Sequence, residues 1–367
     1  MAKLPAKPPA KSSRIRHAAT LADVGRAAGV SVMAASAVLN GAKTSSRISD
    51  ETRQRILAAA AQLNYRANAT ARALVERRMN TIGVATTLSR NELNQYFLEV
   101  FNGLIEAAAE AGQNTTVFAV PDWKDGASRI PGICDSRIDG LILLAPLLGV
   151  EAAKYLPDHT PIVSVHANNE LPNVVNLESD EEAGAFEMVR HMLGLGHRRI
   201  LHVAGPSDSI GAMRRISGYL GAHAAAGIEP PAGYIINGEY TSHSGSRELE
   251  AWLTGHRGSE LPHAIFGGSD AIAIGCLDVL ADRGYRTPAD ISVAGFDGSL
   301  LARSAHLATV RQPLREMGQR AVGLLVERIE AKHQGTSCRV LNNIVLPTEV
   351  VLGRSLAPPR SHPLAIY

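Results

Sequence analysis

From Thr81 onward the chain alternates short apolar runs with longer amphipathic stretches, and this alternation restricts the fold more than any other feature. The runs Thr81–Ala85, Thr115–Val120, Gly140–Leu144, Ile162–Val165, Val174–Leu177, Ile200–Ala204, Ala264–Phe266 and Ile291–Phe296 predict strands. Between several of them, Tyr96–Ala111, Glu181–Leu193, Arg215–Ala226, Ala271–Arg283 and Leu314–Ala331 predict helices. Strands apolar on both faces need cover on both faces, and parallel sheets with crossover helices supply it. Two doubly wound parallel sheets suit a chain of 367 residues. In such an α/β fold a ligand is expected in the crevice beyond the strand C-termini.

The first 80 residues read differently. Residues 1–19 are rich in Pro, Lys and Ala and predict a disordered basic tail. Thr20 is placed to cap a first helix carrying Leu21, Val24 and Ala28 on one face, and Gly29 ends it. Ser31 is placed to cap a second helix with Ala35, Val38 and Leu39, stopped by Asn40-Gly41. Ser49 is placed to cap a third helix, with Asp50 and Glu51 in its first turn and Ile56, Leu57, Ala60 and Leu63 as its apolar stripe. Two short helices joined by a Gly-containing turn predict a helix-turn-helix, and so an all-α head on the α/β body.

Charge separates the two regions. Residues 1–80 hold 14 Lys or Arg against 4 Asp or Glu, so a net charge of +2 hides a basic head of about +10 and an acidic body of about −8. Only the head is suited to meet a polyanion. The cysteines Cys134, Cys276 and Cys338 are widely separated, form no CxxC, and read as buried free thiols of a reducing, cytoplasmic protein. The N-terminus lacks the apolar stretch of a signal peptide, and the longest apolar run, Leu141–Val150, is too short to span a bilayer. Neither a membrane role nor a cofactor is expected.

The segments Thr20-Leu21-Ala22-Asp23-Val24, Ala28-Gly29-Val30-Ser31, Ser36-Ala37-Val38-Leu39-Asn40 and Leu63-Asn64-Tyr65-Arg66-Ala67-Asn68 resemble, in order and spacing, the DNA-binding head of the lactose-repressor/galactose-repressor (LacI/GalR) family. The body continues the resemblance in Leu195-Gly196-His197-Arg198-Arg199-Ile200, Ala204-Gly205-Pro206, Gly218-Tyr219, Asp290–Asp297 and Thr309-Val310-Arg311-Gln312-Pro313. The resemblance covers Thr20 to Ser355. It implies a transcriptional repressor built from a head (20–66), a hinge helix and linker (67–79) and a core like that of periplasmic sugar-binding proteins (80–355). That core is expected to have one half at about 80–177 and 310–337 and the other at about 178–309 and 338–355, leaving a flexible tail at 356–367.

Site residues follow from the same resemblance. Thr20, Ser31, Ser36 and Asn40 are expected near phosphates, which set register. Base reading falls to Ala22, Val32, Met33 and Ala37. Ala37 stands where Arg is frequent, so the bidentate guanine contact is lost, and readout is expected to lean on thymine methyls and DNA deformation. Asn68 opens a hinge helix in which Leu74 is the minor-groove wedge. In the cleft, Tyr96 and Phe97 are expected to flank a ring, with Asp297, Asp270, Ser269 and Arg215 as polar contacts and His166 in place of a frequent Asp. Asp270 reads equally well as a helix cap. The implied partners are pseudo-palindromic operator DNA, a sugar-like effector and a second copy of the chain.

Other function classes fit the sequence less well. The sequence contains no GxSxG, Walker A, HExxH or zinc-ligand cluster. A doubly wound fold can host an enzyme, but that leaves the basic head unexplained, as does a periplasmic binding protein. A phosphorylated carrier protein in place of a metabolite would need a docking patch for an acidic protein, and the acidic body shows no sign of one.

Overall fold

The computed structural model describes residues 18–41, 48–66, 73, 78–87, 95–336, 343–362 and 364–366. The chain divides into two compact units, Met1–Met79 and Asn80–Tyr367.

The head contains α1 (Leu21–Ala28), α2 (Val32–Asn40) and α3 (Asp50–Gln62). Each starts where the sequence offers a cap. Thr20 accepts from the Asp23 amide while Asp23 reaches back to the Thr20 amide at 2.9 Å, closing a capping box. Ser31 and Ser49 accept from the amides of Ala34 and Thr52. Gly29 then takes a left-handed φ of 65°, which a Cβ would oppose, and turns α2 through 109° from α1. That angle is the geometry of a helix-turn-helix. The faces meet over a small core of Val24, Ala28, Ala35, Ile56, Ala59 and Ala60.

The second unit contains two six-stranded sheets. The first has the order β11-β5-β4-β3-β1-β2, built from β1 (Thr81–Thr87), β2 (Asn114–Val120), β3 (Gly140–Leu144), β4 (Ile162–Val165), β5 (Val175–Ser179) and the late strand β11 (Asn343–Leu346). All its pairings are parallel. The second has the order β12-β10-β9-β8-β6-β7, from β6 (Ile200–Ala204), β7 (Ile235–Asn237), β8 (Ala264–Gly267), β9 (Ser292–Asp297), β10 (Ala308–Arg311) and the antiparallel edge β12 (Glu349–Val351). Helices cover both faces, as fully buried strands such as β3 and β4 require.

On the first sheet, α4 (Gln95–Glu110) and α10 (Leu314–Gln334) pack Val100, Leu104, Met317, Ala321 and Leu325 against Ile82, Val84 and Ile142. These two helices touch backbone to backbone. A Cβ on Gly103 would stand 1.9 Å from the Arg315 carbonyl, and one on Gly318 would stand 2.2 Å from that of Val100. On the second sheet, α5 (Glu181–Gly194) and α6 (Ile210–Ala225) cover one face. The other face is covered by α7 (Ser242–Gly255), α8 (Asp270–Asp282) and the short α9 (Leu300–Ser304).

The chain passes between the sheets three times: β5 into α5, β10 into α10, and β11 into β12. The third passage corrects an expected boundary. The first half was drawn to end near residue 337, yet β11 pairs parallel with β5, so the crossing falls at Pro347-Thr348. Thr348 Oγ1 donates to the Asp180 carbonyl at 3.1 Å, tying the third passage to the first.

The tail expected to be flexible is instead packed. Ile366 is buried, Leu364 lies against the second-sheet core, and the backbone pairs as Leu261 N to Leu364 O (2.7 Å) and Ile366 N to Ser259 O (2.9 Å). Two aliphatic side chains and paired amides outweigh the local signal of Pro358-Pro359. No single helix among the described residues is long and apolar enough to cross a membrane. Cys134 and Cys276 are buried free thiols as expected; Cys338 lies outside the described residues.

Candidate functional site

Two places carry functional side chains. On the head, α2 buries only Ala35 and presents Val32 and Met33, 48% and 71% exposed, at its N-terminal end. Ala22 is also exposed, while Ser36, Ala37 and Asn40 are half-buried along the same helix as Val32 and Met33. Asn40 donates to Ser36 Oγ at 3.4 Å, so these two polar groups are oriented by each other. Thr20 and Ser31 spend their hydroxyl oxygens on capping, which places each at a helix N-terminus, where free amides favour phosphate. Asn68 and Leu74 lie outside the described residues.

The second place lies at the C-terminal strand ends of the core, between the sheets. His166, just after β4, has a left-handed φ of 52°. Its Nδ1 lies 2.6 Å from the Tyr96 hydroxyl of α4. Its Nε2 accepts from the Ser179 amide at 3.1 Å. Ser179, at the first passage, donates through Oγ to Gln312 Oε1, at the second. Gln312 Nε2 donates to Asp297 at the end of β9 (2.8 Å). A continuous polar chain thus runs from the first sheet's cover helix to the second sheet, along two of the three passages.

Arg215 of α6 closes this chain. It is buried, pairs with Glu181 at 2.7 Å, donates to the Gly268 carbonyl, and lies 4.0 Å from Asp297. Its guanidinium sits over Phe296 (4.1 Å) and Tyr240 (5.3 Å). Beside it, Arg214 makes a two-pronged pair with Glu178 (2.9 and 3.2 Å). Asn168, on the first half, caps the N-terminus of α6 by accepting from the Ile210 amide at 2.7 Å.

Burial sets the protonation states. It pushes His166 down to about 4, with Arg215 and Arg214 opposing its charge and Glu181 favouring it. It pushes Asp297 up to about 7, with Asp270 adding a like charge while Arg215 and the Gln312 hydrogen bond pull the other way. Tyr96 is held well above the usual phenol range by burial and by Glu181 and Asp297.

Of the expected cleft residues, the structure joins Tyr96, His166, Asp297 and Arg215. The other three lie outside this hydrogen-bonded chain. Phe97 is buried in the first-sheet core with its ring edge-on to Tyr96. Ser269 caps α8 through the Ile272 amide. Asp270 accepts from Thr309 Oγ1 (2.6 Å) and the Ser299 amide (2.7 Å) and lies close enough to Asp297 to oppose its charge. Gln312, Ser179 and Glu181 were not foreseen. Gln312 stands in a segment that the sequence already marked, whereas Glu181 looked like an ordinary first-turn acid. A separate groove of about 310 Å³ lies at the opposite end of the first sheet, beside Ile162, Val174 and Arg328. The polar chain that joins the two halves lies at the cleft and not at this groove.

A recognition helix on a capped head and a two-halved core with a polar cleft define a helix-turn-helix transcriptional regulator with an effector-binding domain. Comparison with known proteins agrees. Residues 20–68 match the model of bacterial regulatory proteins of the lacI family, and 189–356 match a periplasmic binding protein-like domain. The chain is 30% identical to the HTH-type transcriptional repressor PurR of Photobacterium profundum, over 86% of this chain and 93% of that one. It is similar to the Lac repressor dimer bound to operator and the anti-inducer ONPF (27% identity, TM-score 0.76, 92% of this chain and 99% of that one). It is also similar to the transcriptional regulator CelR in complex with cellobiose (26% identity, TM-score 0.66, 92% and 99%). The chain belongs to the lacI family.

Proposed function

We propose that this regulator binds a pseudo-palindromic operator as a homodimer in the cytoplasm, represses without any catalytic step, and is controlled by a small, sugar-like effector held at Tyr96, His166, Arg215 and Asp297. The observation that carries the reading is the coexistence of an exposed recognition helix and a buried polar chain joining both halves of a cleft. A ligand competing for that chain changes how the two halves are held across the three passages. A coupling of about 1–3 kcal/mol is enough to alter operator affinity 5- to 150-fold.

Thr20, Ser31, Ser36 and Asn40 position the head on phosphates; Ala22, Val32, Met33 and Ala37 meet base edges; Asn68 and Leu74 belong to the hinge that enters the minor groove. Val32 and Met33 offer only apolar contact, which fits thymine methyls. The test is a genome-fragment pull-down at about 150 mM salt, where non-specific phosphate binding is weak. Enrichment of a palindrome supports the reading, and a metabolite panel then shows release by an inducer or tightening by a co-repressor. Leu74→Ala and Met33→Ala are expected to weaken operator binding far more than non-specific binding. Equal losses on both DNAs would remove these residues from specific readout.

A further inference from the structure

The hydrogen bonds around His166 have a fixed direction. The Ser179 amide is a backbone donor that cannot reverse, and it points at His166 Nε2 from 3.1 Å. Nε2 therefore carries no proton. In a neutral ring the proton sits on Nδ1, which faces the Tyr96 oxygen at 2.6 Å. The imidazole donates and the phenol accepts. Ser179 Oγ also lies 3.1 Å from Nε2 and, with its own proton given to Gln312, can accept one from the ring, but a proton on Nε2 would face the Ser179 amide N–H, so the backbone donor decides the tautomer. An imidazolium would set Nε2–H against the Ser179 amide and add a cation beside Arg214 and Arg215, with only Glu181 to favour it.

We infer that His166 is a positioning residue that fixes Tyr96 as a hydrogen-bond acceptor from the protein and so leaves the phenol's own hydrogen as a donor to the cleft. This rests on the proposal that the cleft is the effector site. It adds a specificity rule to that site. The ligand atom opposite Tyr96 is an acceptor, such as a carbonyl, ether, hydroxyl or carboxylate oxygen, or an unprotonated ring nitrogen. A group that can only donate, such as an ammonium, is rejected there. An Asp at position 166 would reverse the rule, since a carboxylate can only accept and would consume the Tyr96 hydrogen.

The backbone makes this testable. A φ of 52° is tolerated best by Asn, Asp and His, so His166→Asn and His166→Asp keep the main chain and differ in hydrogen-bond polarity. Two measurements on ligand-free full-length protein decide. The first is the nitrogen-15 spectrum of the histidine side chains, with His166 assigned by difference from His166→Asn. The expected result is one protonated nitrogen at Nδ1 and one unprotonated nitrogen at Nε2 near neutral pH. A proton on Nε2, or on both nitrogens, overturns the inference. The second is the tyrosine Raman doublet, with Tyr96 isolated from the other seven tyrosines by difference from Tyr96→Phe. The Tyr96 signal is expected to be of the acceptor type in wild type and His166→Asn, and to switch to the donor type in His166→Asp. No switch overturns the inference, provided circular dichroism shows the variant folded. Because neither measurement uses a ligand, failure to find an effector would count against the proposed function alone, while a wrong tautomer would count against this rule alone.

Discussion

The head and the cleft solve opposite problems. The surface proposed to meet DNA is exposed and largely apolar: Val32 and Met33 point outward from a helix that buries only Ala35. The cleft's working surface is buried and polar, and its groups already bond one another from Tyr96 to Arg215. A surface that meets DNA keeps its contacts unspent and relies on the partner to desolvate them. A cleft that responds to a ligand keeps its groups satisfied until the ligand replaces a bond, because an unpaired polar group in such a site costs about 1–3 kcal/mol. The two regions also differ in what holds them. Six buried residues, four of them alanine, and three side-chain caps support the head, whereas two sheets covered on both faces support the core.

That contrast can be broken by experiment, beginning with the largest effect. Arg215→Ala strands Glu181 in the interior, and removing one partner of a buried pair typically costs about 3–5 kcal/mol. Denaturant unfolding of the core should show this loss, while head resonances in an amide NMR spectrum stay unchanged. Loss from both regions would mean that they unfold as one. Ile56→Ala is the converse. It removes the largest buried side chain of the head core, at a typical cost of about 2–5 kcal/mol, and should abolish operator binding without moving the core transition.

Acid should also separate the regions. His166 and His202 are held down to about 4 by burial, while an unfolded histidine titrates near 6.5. Their folded pKa lies below the unfolded one, so the unfolded chain binds more protons between these values. Core stability is therefore full above pH 6.5 and falls as the pH drops toward 4, by up to about 3 kcal/mol for each group. Residues 18–79 contain no histidine, so the head should lack this acid limb. His202→Gln should flatten the core's pH profile; an unchanged profile would assign the acid sensitivity to other groups. The smallest effect belongs to Thr20→Ala, which removes the capping box of α1 and should lower head stability by about 1 kcal/mol, read from its thermal melt.

The signals that were legible in the sequence were local or periodic. Thr20, Ser31 and Ser49 announce their helices because a cap needs only the next three residues. Most central strands are visible because both of their faces are buried, although the inner strand β10 was not foreseen. Edge strands carry weaker patterns: β7 and β12 are only half-buried or exposed and went unforeseen, as did β11, whose Asn343 and Val345 are exposed. The helix α7 was missed because its opening Ser242-His243-Ser244-Gly245-Ser246 has the composition of a loop, although Thr241 caps it.

By itself the sequence determined the capped helix-turn-helix and the two covered parallel sheets, through residue type and spacing, while the candidates Tyr96, His166, Arg215 and Asp297 came from its resemblance to the family. Only the tertiary structure decided that Asp270 and Ser269 are spent on Thr309, Ser299 and the α8 cap, that the final residues pack as a strap of paired backbone, and that Ser179 and Gln312 join the two halves. A hydrogen bond between residues 133 positions apart depends on where two chain passages meet in space, and no local pattern encodes that meeting.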